Sequence, residues 1–200
     1  MRLSEGQVGL RPLRASDAGT WVELRKRNSA WLRPWEATTP PGSPPPPPSA
    51  RALIKDLGRQ ARQGRLLPFA VTFDEHMVGQ LSVSGITWGS ASWAAIGYWL
   101  GRDHAGAGTM VTAVALACDH CWFTMGLHRI EVAIRPENTA SLRVVEKLGF
   151  RREGYAPRYL HIDGDWRDHH IFALTAEEVP EGLLARWRRS PHRRTTTQRN

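Results

Sequence analysis

Two glycines one residue apart and followed at once by a helical pattern, Gly106 and Gly108 in His104-Ala105-Gly106-Ala107-Gly108-Thr109, make the segment best suited to hold a ligand. Glycine lets backbone approach a bound group. Amides at a helix start are unpaired donors on the positive end of its dipole, so the segment suits a diphosphate. A strand-like stretch, Ile96-Gly97-Tyr98-Trp99-Leu100, precedes it, and a helix pattern from Met110 to Phe123 follows. A second strand, Leu127 to Arg135, ends at Pro136-Glu137-Asn138, and a second helix is expected from Thr139 to Leu148 with Gly149 as its left-handed stop. Asn138 stands where a helix cap stands, and Ser141 lies three residues on, in the first turn. Glu131 is flanked by Ile130 and Val132, so alternation sends its carboxylate to the opposite face. A carboxylate in a central strand is rarely buried without purpose. It either accepts a proton or pairs with an arginine such as Arg129 or Arg135.

In this order the motifs resemble the GNAT acetyltransferase superfamily: Gly106 and Gly108 in the glycine loop, Asn138 and Ser141 at N-x-x-S spacing, then Leu148-Gly149-Phe150. Leu127-His128-Arg129-Ile130 and the segment from Tyr159 to His169 resemble the RimJ/RimL-type ribosomal-protein alanine N-acetyltransferases, RimJ in particular. Leu10-Arg11-Pro12-Leu13-Arg14 and Trp31-Leu32-Arg33-Pro34-Trp35-Glu36 agree, and the likeness reaches about Glu178. It implies an α+β fold, a mixed and strongly twisted sheet of about six to seven strands flanked by helices. It also implies acetyl-CoA as co-substrate and no metal. The diphosphate would lie on His104, Ala105, Gly106, Ala107, Gly108 and Thr109, and the pantetheine arm would pair with the backbone of Trp99 and Leu100. Asn138 would bind the arm's amide oxygen or a nearby water, and Ser141 would donate to the departing thiolate. Glu131 is the first candidate for the base. Glu36, beside Trp35, is better placed to orient an amine, and Trp166 and Arg167, in the run Trp166-Arg167-Asp168-His169, either belong to the acceptor side too or form a hairpin held by its own polar ladder.

Two positions depart from the family pattern. Asp103 stands where Arg or Gln usually heads the glycine motif, which lowers the affinity expected for phosphates without changing the ligand, since backbone amides carry most of that contact. Val145 stands where many relatives place a proton-donating tyrosine, so another group must serve.

The acceptor is constrained by proton chemistry. An α-amine with a pKa of about 8 is about a quarter neutral at pH 7.5, whereas a lysine near about 10.4 is neutral roughly once in a thousand. Neutralising the lysine costs about 4 kcal/mol against less than about 1 kcal/mol for the terminus. Without an obvious strong base, a protein N-terminus is the easier substrate, in line with the alanine terminus of a ribosomal protein that the resemblance implies. A small-amine or aminoglycoside acetyltransferase would share the catalytic core and differ only in its acceptor groove. A non-catalytic CoA-binding or ribosome-associated protein would keep the fold alone. Dinucleotide oxidoreductases need G-x-G-x-x-G and P-loop enzymes need Gly-Lys-Ser/Thr, and neither occurs at this loop.

Two hundred residues with 41% hydrophobic content fit one domain, expected over 1–180. No apolar run approaches the ~18 residues of a membrane helix, Met1 to Gly6 leads into no signal-peptide core, and the cytoplasm is the expected location. Cys118 and Cys121 flank His120 but lack further clear ligands, and read as small, half-buried helix positions. Further strands are expected at Val8 to Arg14, Leu67 to Phe73, Val78 to Trp88, Ser92 to Leu100, and in a hairpin, Tyr155 to Ile162 with Trp166 to Leu174. Helices are expected from Ser16 or Asp17 to Asn28 and from Ala50 to Gln63, with a proline-rich loop at 40–49 between them. Of the net charge of +8, six units lie on arginines between Arg186 and Asn200, leaving +2 for the rest. Residues 181–200 therefore read as a basic, disordered tail that keeps the protein soluble or holds it weakly to ribosomal RNA. The oligomeric state is expected to be monomer or homodimer.

Overall fold

The computed structural model describes residues 1–191. It contains eight strands: β1 (Leu3–Glu5), β2 (Val8–Pro12), β3 (Leu67–Phe73), β4 (His76–Thr87), β5 (Trp93–Leu100), β6 (Arg129–Ile134), β7 (Arg151–Ile162) and β8 (Asp165–Thr175). They form one sheet in the order β1-β2-β3-β4-β5-β6-β8-β7. All neighbours are antiparallel except β5 and β6, which are parallel because a helical crossover joins them. The class is α+β, as expected. The strand beyond the expected seven is β1, whose three residues are too few to show an alternation.

Six helices flank the sheet: α1 (Ala18–Arg27), α2 (Ser29–Leu32), α3 (Ala50–Arg62), α4 (Thr109–Asp119), α5 (Thr139–Leu148) and α6 (Leu183–Arg189). One face of the sheet carries the larger core, in which Val83, Ile96, Ile130 and Leu174 meet α4, α5 and α6. The other carries a smaller core of Leu13, Leu24, Ile54, Ala70 and Met77 beneath α1 and α3. Helix α4 is buried from Thr109 to Cys118 because its sequence is apolar or small on every side, as a helix covered on every side requires. After Asp119 it loosens into a π-turn, His120–Thr124, so the helical run reaches the expected Phe123 with its last turn more widely wound. Cys118 and Cys121 are fully buried rather than half-buried.

The expectation of a disordered tail from 181 is corrected over Leu183–Arg189. Leu183 and Trp187 enter the core, and the Trp187 indole N–H donates to Thr112 Oγ1 at 2.9 Å. The Asp119 carboxylate accepts from the amides of Leu183 (2.6 Å) and Leu184 (3.1 Å), so the cap of α6 comes from the distant α4. Three of the six arginines are tied into the domain: Arg186 to the carbonyls of Leu148 and Glu178, Arg188 to Glu5 and Arg189 to Glu181. The rest of the expected tail, residues 192–200, lies outside the described residues. Among the described residues no helix is long and apolar enough to cross a membrane.

Candidate active site

The site begins with a break in the sheet. Strands β5 and β6 pair only through Trp93, Ala94 and Ala95 with Arg129, Ile130 and Glu131. Beyond that row β5 stays with β4 as far as Leu100, and β6 stays with β8 as far as Ile134. The sheet therefore opens into a V, and the inner backbone edges of Ile96–Leu100 and Val132–Ile134 face a cleft of about 900 Å³ instead of each other. Unpaired strand edges are templates for an extended, amide-bearing partner.

At the α4 end the cleft is lined by Ala105, Gly106 and Gly108. Gly106 (φ 85°) and Gly108 (φ 81°) are left-handed, a conformation that disfavours any side chain, and a Cβ on Gly106 would meet no protein atom within 4 Å. Gly106 therefore keeps open a space that protein does not fill. The first bonded amide of α4 is that of Thr112, to Gly108 O at 2.9 Å, so the amides before it remain available to an anion. Arg102, Arg143 and Lys147 also line the cleft and add positive charge. Asp103 is turned away, 81% exposed and 4.0 Å from Arg27. His104, Ala107 and Thr109 do not line the cleft with their neighbours. Thr109 is buried as the first residue of α4.

Across the V, Asn138 caps α5, its Oδ1 accepting from the Ser141 amide at 3.1 Å, and both residues line the cleft with Trp99 and Leu100. Tyr98 points into the same region and donates to Ser141 O at 3.4 Å. Burial raises the pKa of its phenol, which keeps its proton. Such a group was missed in the sequence, where Val145 marked only the absence of the usual tyrosine; Val145 itself is core.

The opposite mouth is aromatic. Trp35 and Glu36 line it with Trp21, Arg25 and Trp31. The Arg25 guanidinium lies 4.6 Å from the ring centre of Trp21 and 5.5 Å from that of Trp99, and it pairs with Glu36. Arg135 lies 5.3 Å from the centre of Trp35 and donates to Pro34 O at 2.6 Å. Trp31 donates to Leu100 O at 3.1 Å, and a bridge between Ala37 and Ile162 fastens this segment to the β7–β8 hairpin. His169, on β8, closes the floor: it is 3% exposed, lines the cleft, and its Nδ1 lies 2.9 Å from Arg167 O.

Glu131 lies on the face that alternation assigns, opposite Ile130 and Val132. It is not among the residues lining the cleft. Its Oε1 accepts from Arg129 Nε at 2.8 Å, and Arg129 also holds Glu153, so the carboxylate belongs to an ion-pair network. Trp166 and Arg167 also lie outside the lining; Trp166 is 42% exposed, stacked edge-on with His161, and the Arg167 Nε is shielded without a hydrogen-bond partner among the described residues. Burial pushes the Cys121 thiol up to about 12, and among the described residues no group of three His, Cys, Asp or Glu side chains could hold a metal.

Residues 7–151 match the family model described as an acetyltransferase (GNAT) domain. The chain is 31% identical over 185 residues to the ribosomal protein uS5-alanine N-acetyltransferase of Escherichia coli, covering 91% of this chain and 94% of that one. It is 41% identical over 101 residues to the probable N-acetyltransferase YjcK of Bacillus subtilis, a match spanning 50% of this chain and 56% of that protein. Mycobacterium smegmatis RimJ, solved in complex with CoA-disulfide, superposes with a TM-score of 0.86 at 39% identity, over 93% of this chain and 92% of that one. A V-shaped break in a mixed sheet, a glycine-amide cradle and these likenesses agree: the chain belongs to the GNAT acetyltransferases, in their RimJ/RimL group of ribosomal-protein N-acetyltransferases.

Proposed function

We propose that this protein transfers an acetyl group from acetyl-CoA to the N-terminal α-amine of a protein, an alanine-led ribosomal protein, by direct attack within a ternary complex. The observation that carries the reading is a cleft with two unlike mouths, an amide cradle at α4 and an aromatic, charged chamber on the opposite side. The relative in Escherichia coli is named for acetylating an alanine of ribosomal protein uS5, and its match spans both mouths.

Bound acetyl-CoA supplies an acetyl carbon activated as a thioester. The amides at the α4 end and the cationic side chains of the cleft would hold its diphosphate, and the free edge of Trp99 and Leu100 would align the pantetheine arm as an added strand. Asn138, its Oδ1 already committed to the cap, would offer its amide N–H to that arm. Ser141 would donate to the sulfur as the C–S bond breaks, with the protonated Tyr98 beside it. On the acceptor side Glu36 would orient the amine, Trp35 would pack on the terminal residue, and Trp166 and Arg167 would meet the residues behind it.

Intact-mass spectrometry of ribosomal proteins from cells with and without the gene tests the proposal. One protein should lose the mass of an acetyl group at its N-terminus on deletion; an unchanged set would remove the ribosomal acceptor.

A further inference from the structure

We propose that His169 is the general base of the reaction, taking the proton from the acceptor nitrogen as the new N–C bond forms. The inference rests on the acetyl-transfer reading above and adds the residue that handles the acceptor's proton.

Three observations place the ring. His169 is nearly fully buried yet lines the cleft, so the face it does not give to protein it gives to that cavity. Its Nδ1 is 2.9 Å from the carbonyl oxygen of Arg167, an acceptor only, so this nitrogen carries the ring's hydrogen and Nε2 keeps a lone pair. Nε2 has no hydrogen-bond partner among the described residues, and it is not sealed off by protein. A neutral imidazole with a fixed tautomer and a free lone pair facing a reaction chamber is a base in waiting.

The surroundings keep the ring neutral. Burial lowers its pKa from the ordinary 6.5, and Arg135, just past the end of the neighbouring β6, lowers it further. Asp168 and Glu137 pull the other way, as does the bond to Arg167 O, and the Tyr159 ring covers one edge at 5.8 Å. The net result is an uncharged base at neutral pH. Such a weak base does not deprotonate an ammonium; it suits an amine that is already neutral, whose remaining proton becomes acidic as the lone pair bonds to carbon. The nitrogen's proton then moves to Nε2, the C–S electron pair leaves on sulfur, and His169 returns its proton to solvent. Glu131, paired to Arg129, takes no part.

Two measurements test this. In the wild-type protein, nitrogen-15 NMR of the histidines should show His169 as the Nδ1–H tautomer with a pKa below 6.5. His169→Gln should lower kcat by about a hundredfold at pH 7 while the acetyl-CoA Kd, read by calorimetry, stays within about twofold. The fall of wild-type kcat below pH 6.5, at saturating acceptor, should vanish in the variant. Imidazole should restore part of the rate to His169→Ala. An Nε2–H tautomer, or a variant that keeps the wild-type pH profile, overturns the proposal. Failure of wild-type protein to bind acetyl-CoA would instead overturn the reading beneath it, and calorimetry separates the two.

Discussion

The two mouths of the cleft are built by different means. At α4 the groups open to a ligand come mainly from backbone: left-handed Gly106 and Gly108, the open amides before Thr112 and the free edge of Trp99 and Leu100. At the opposite mouth they come from side chains delivered by segments far apart in the chain, Trp21 and Arg25 on α1, Trp35 and Glu36 after α2, Arg135 at the end of β6 and His169 on β8. A backbone site recognises what every acyl-CoA has in common and tolerates little change in conformation. A side-chain site can be rebuilt one residue at a time for a new acceptor while the cofactor end stays the same.

Substitutions that respect this division should separate cofactor binding from turnover and acceptor choice. The largest effect belongs to Gly108→Val. A β-branched residue at φ 81° is strained by about 1–2 kcal/mol and obstructs the amides, so acetyl-CoA should bind about 30- to 100-fold more weakly by calorimetry. Ser141→Ala should lower kcat about tenfold with the acetyl-CoA Kd nearly unchanged, as measured by steady-state kinetics. Glu36→Gln removes the partner of Arg25 and should raise the acceptor KM about fivefold while leaving CoA affinity alone. Equal losses at both mouths from either change would break the division.

Smaller effects concern stability. Burial holds the His169 pKa below its unfolded value of 6.5, so the unfolded chain takes up the proton first. Its contribution to stability is complete above pH 6.5 and is lost as pH falls toward the folded pKa. The melting temperatures of wild type and His169→Gln should therefore shift relative to each other between pH 7.5 and 5.5, with wild type losing more. Glu131→Gln should be the mildest: kcat within about threefold of wild type and, for a pair about a quarter exposed, at most about 1 kcal/mol of stability by denaturant titration.

The same division explains what could be read from sequence. Thr139–Leu148 and Leu67–Phe73 were legible to the residue, because a cap and a glycine stop bound the first and turn signals bound the second. The left-handed turn at Gly106 and Gly108 and the cap at Asn138 were legible because strained backbone demands glycine and a cap favours Asn, signals that survive without neighbours. Helix α6 was not: Leu183, Leu184 and Trp187 among arginines give too short an apolar stripe, and its cap, Asp119, lies 64 residues away. Tyr98 and Arg135 were hidden for a related reason, and His169 was legible only as the end of a possible acceptor-side run, since only the splitting of β5 from β6 and the pairing of β8 beside β6 bring the three to one cavity. Glu131 shows how far periodicity reaches: it gave the face of the carboxylate and put Arg129, two residues away, on that face as one possible partner, but could not choose between pairing and proton transfer.

A competition assay tests the central claim most directly. An alanine-led peptide with a free α-amine should be acetylated at least about tenfold better, by kcat/KM, than the same peptide with a blocked terminus and an accessible lysine, because the α-amine is the neutral one at working pH. If the blocked lysine peptide, an aminoglycoside or a polyamine outruns every free-terminus peptide, the protein N-terminus is not the acceptor.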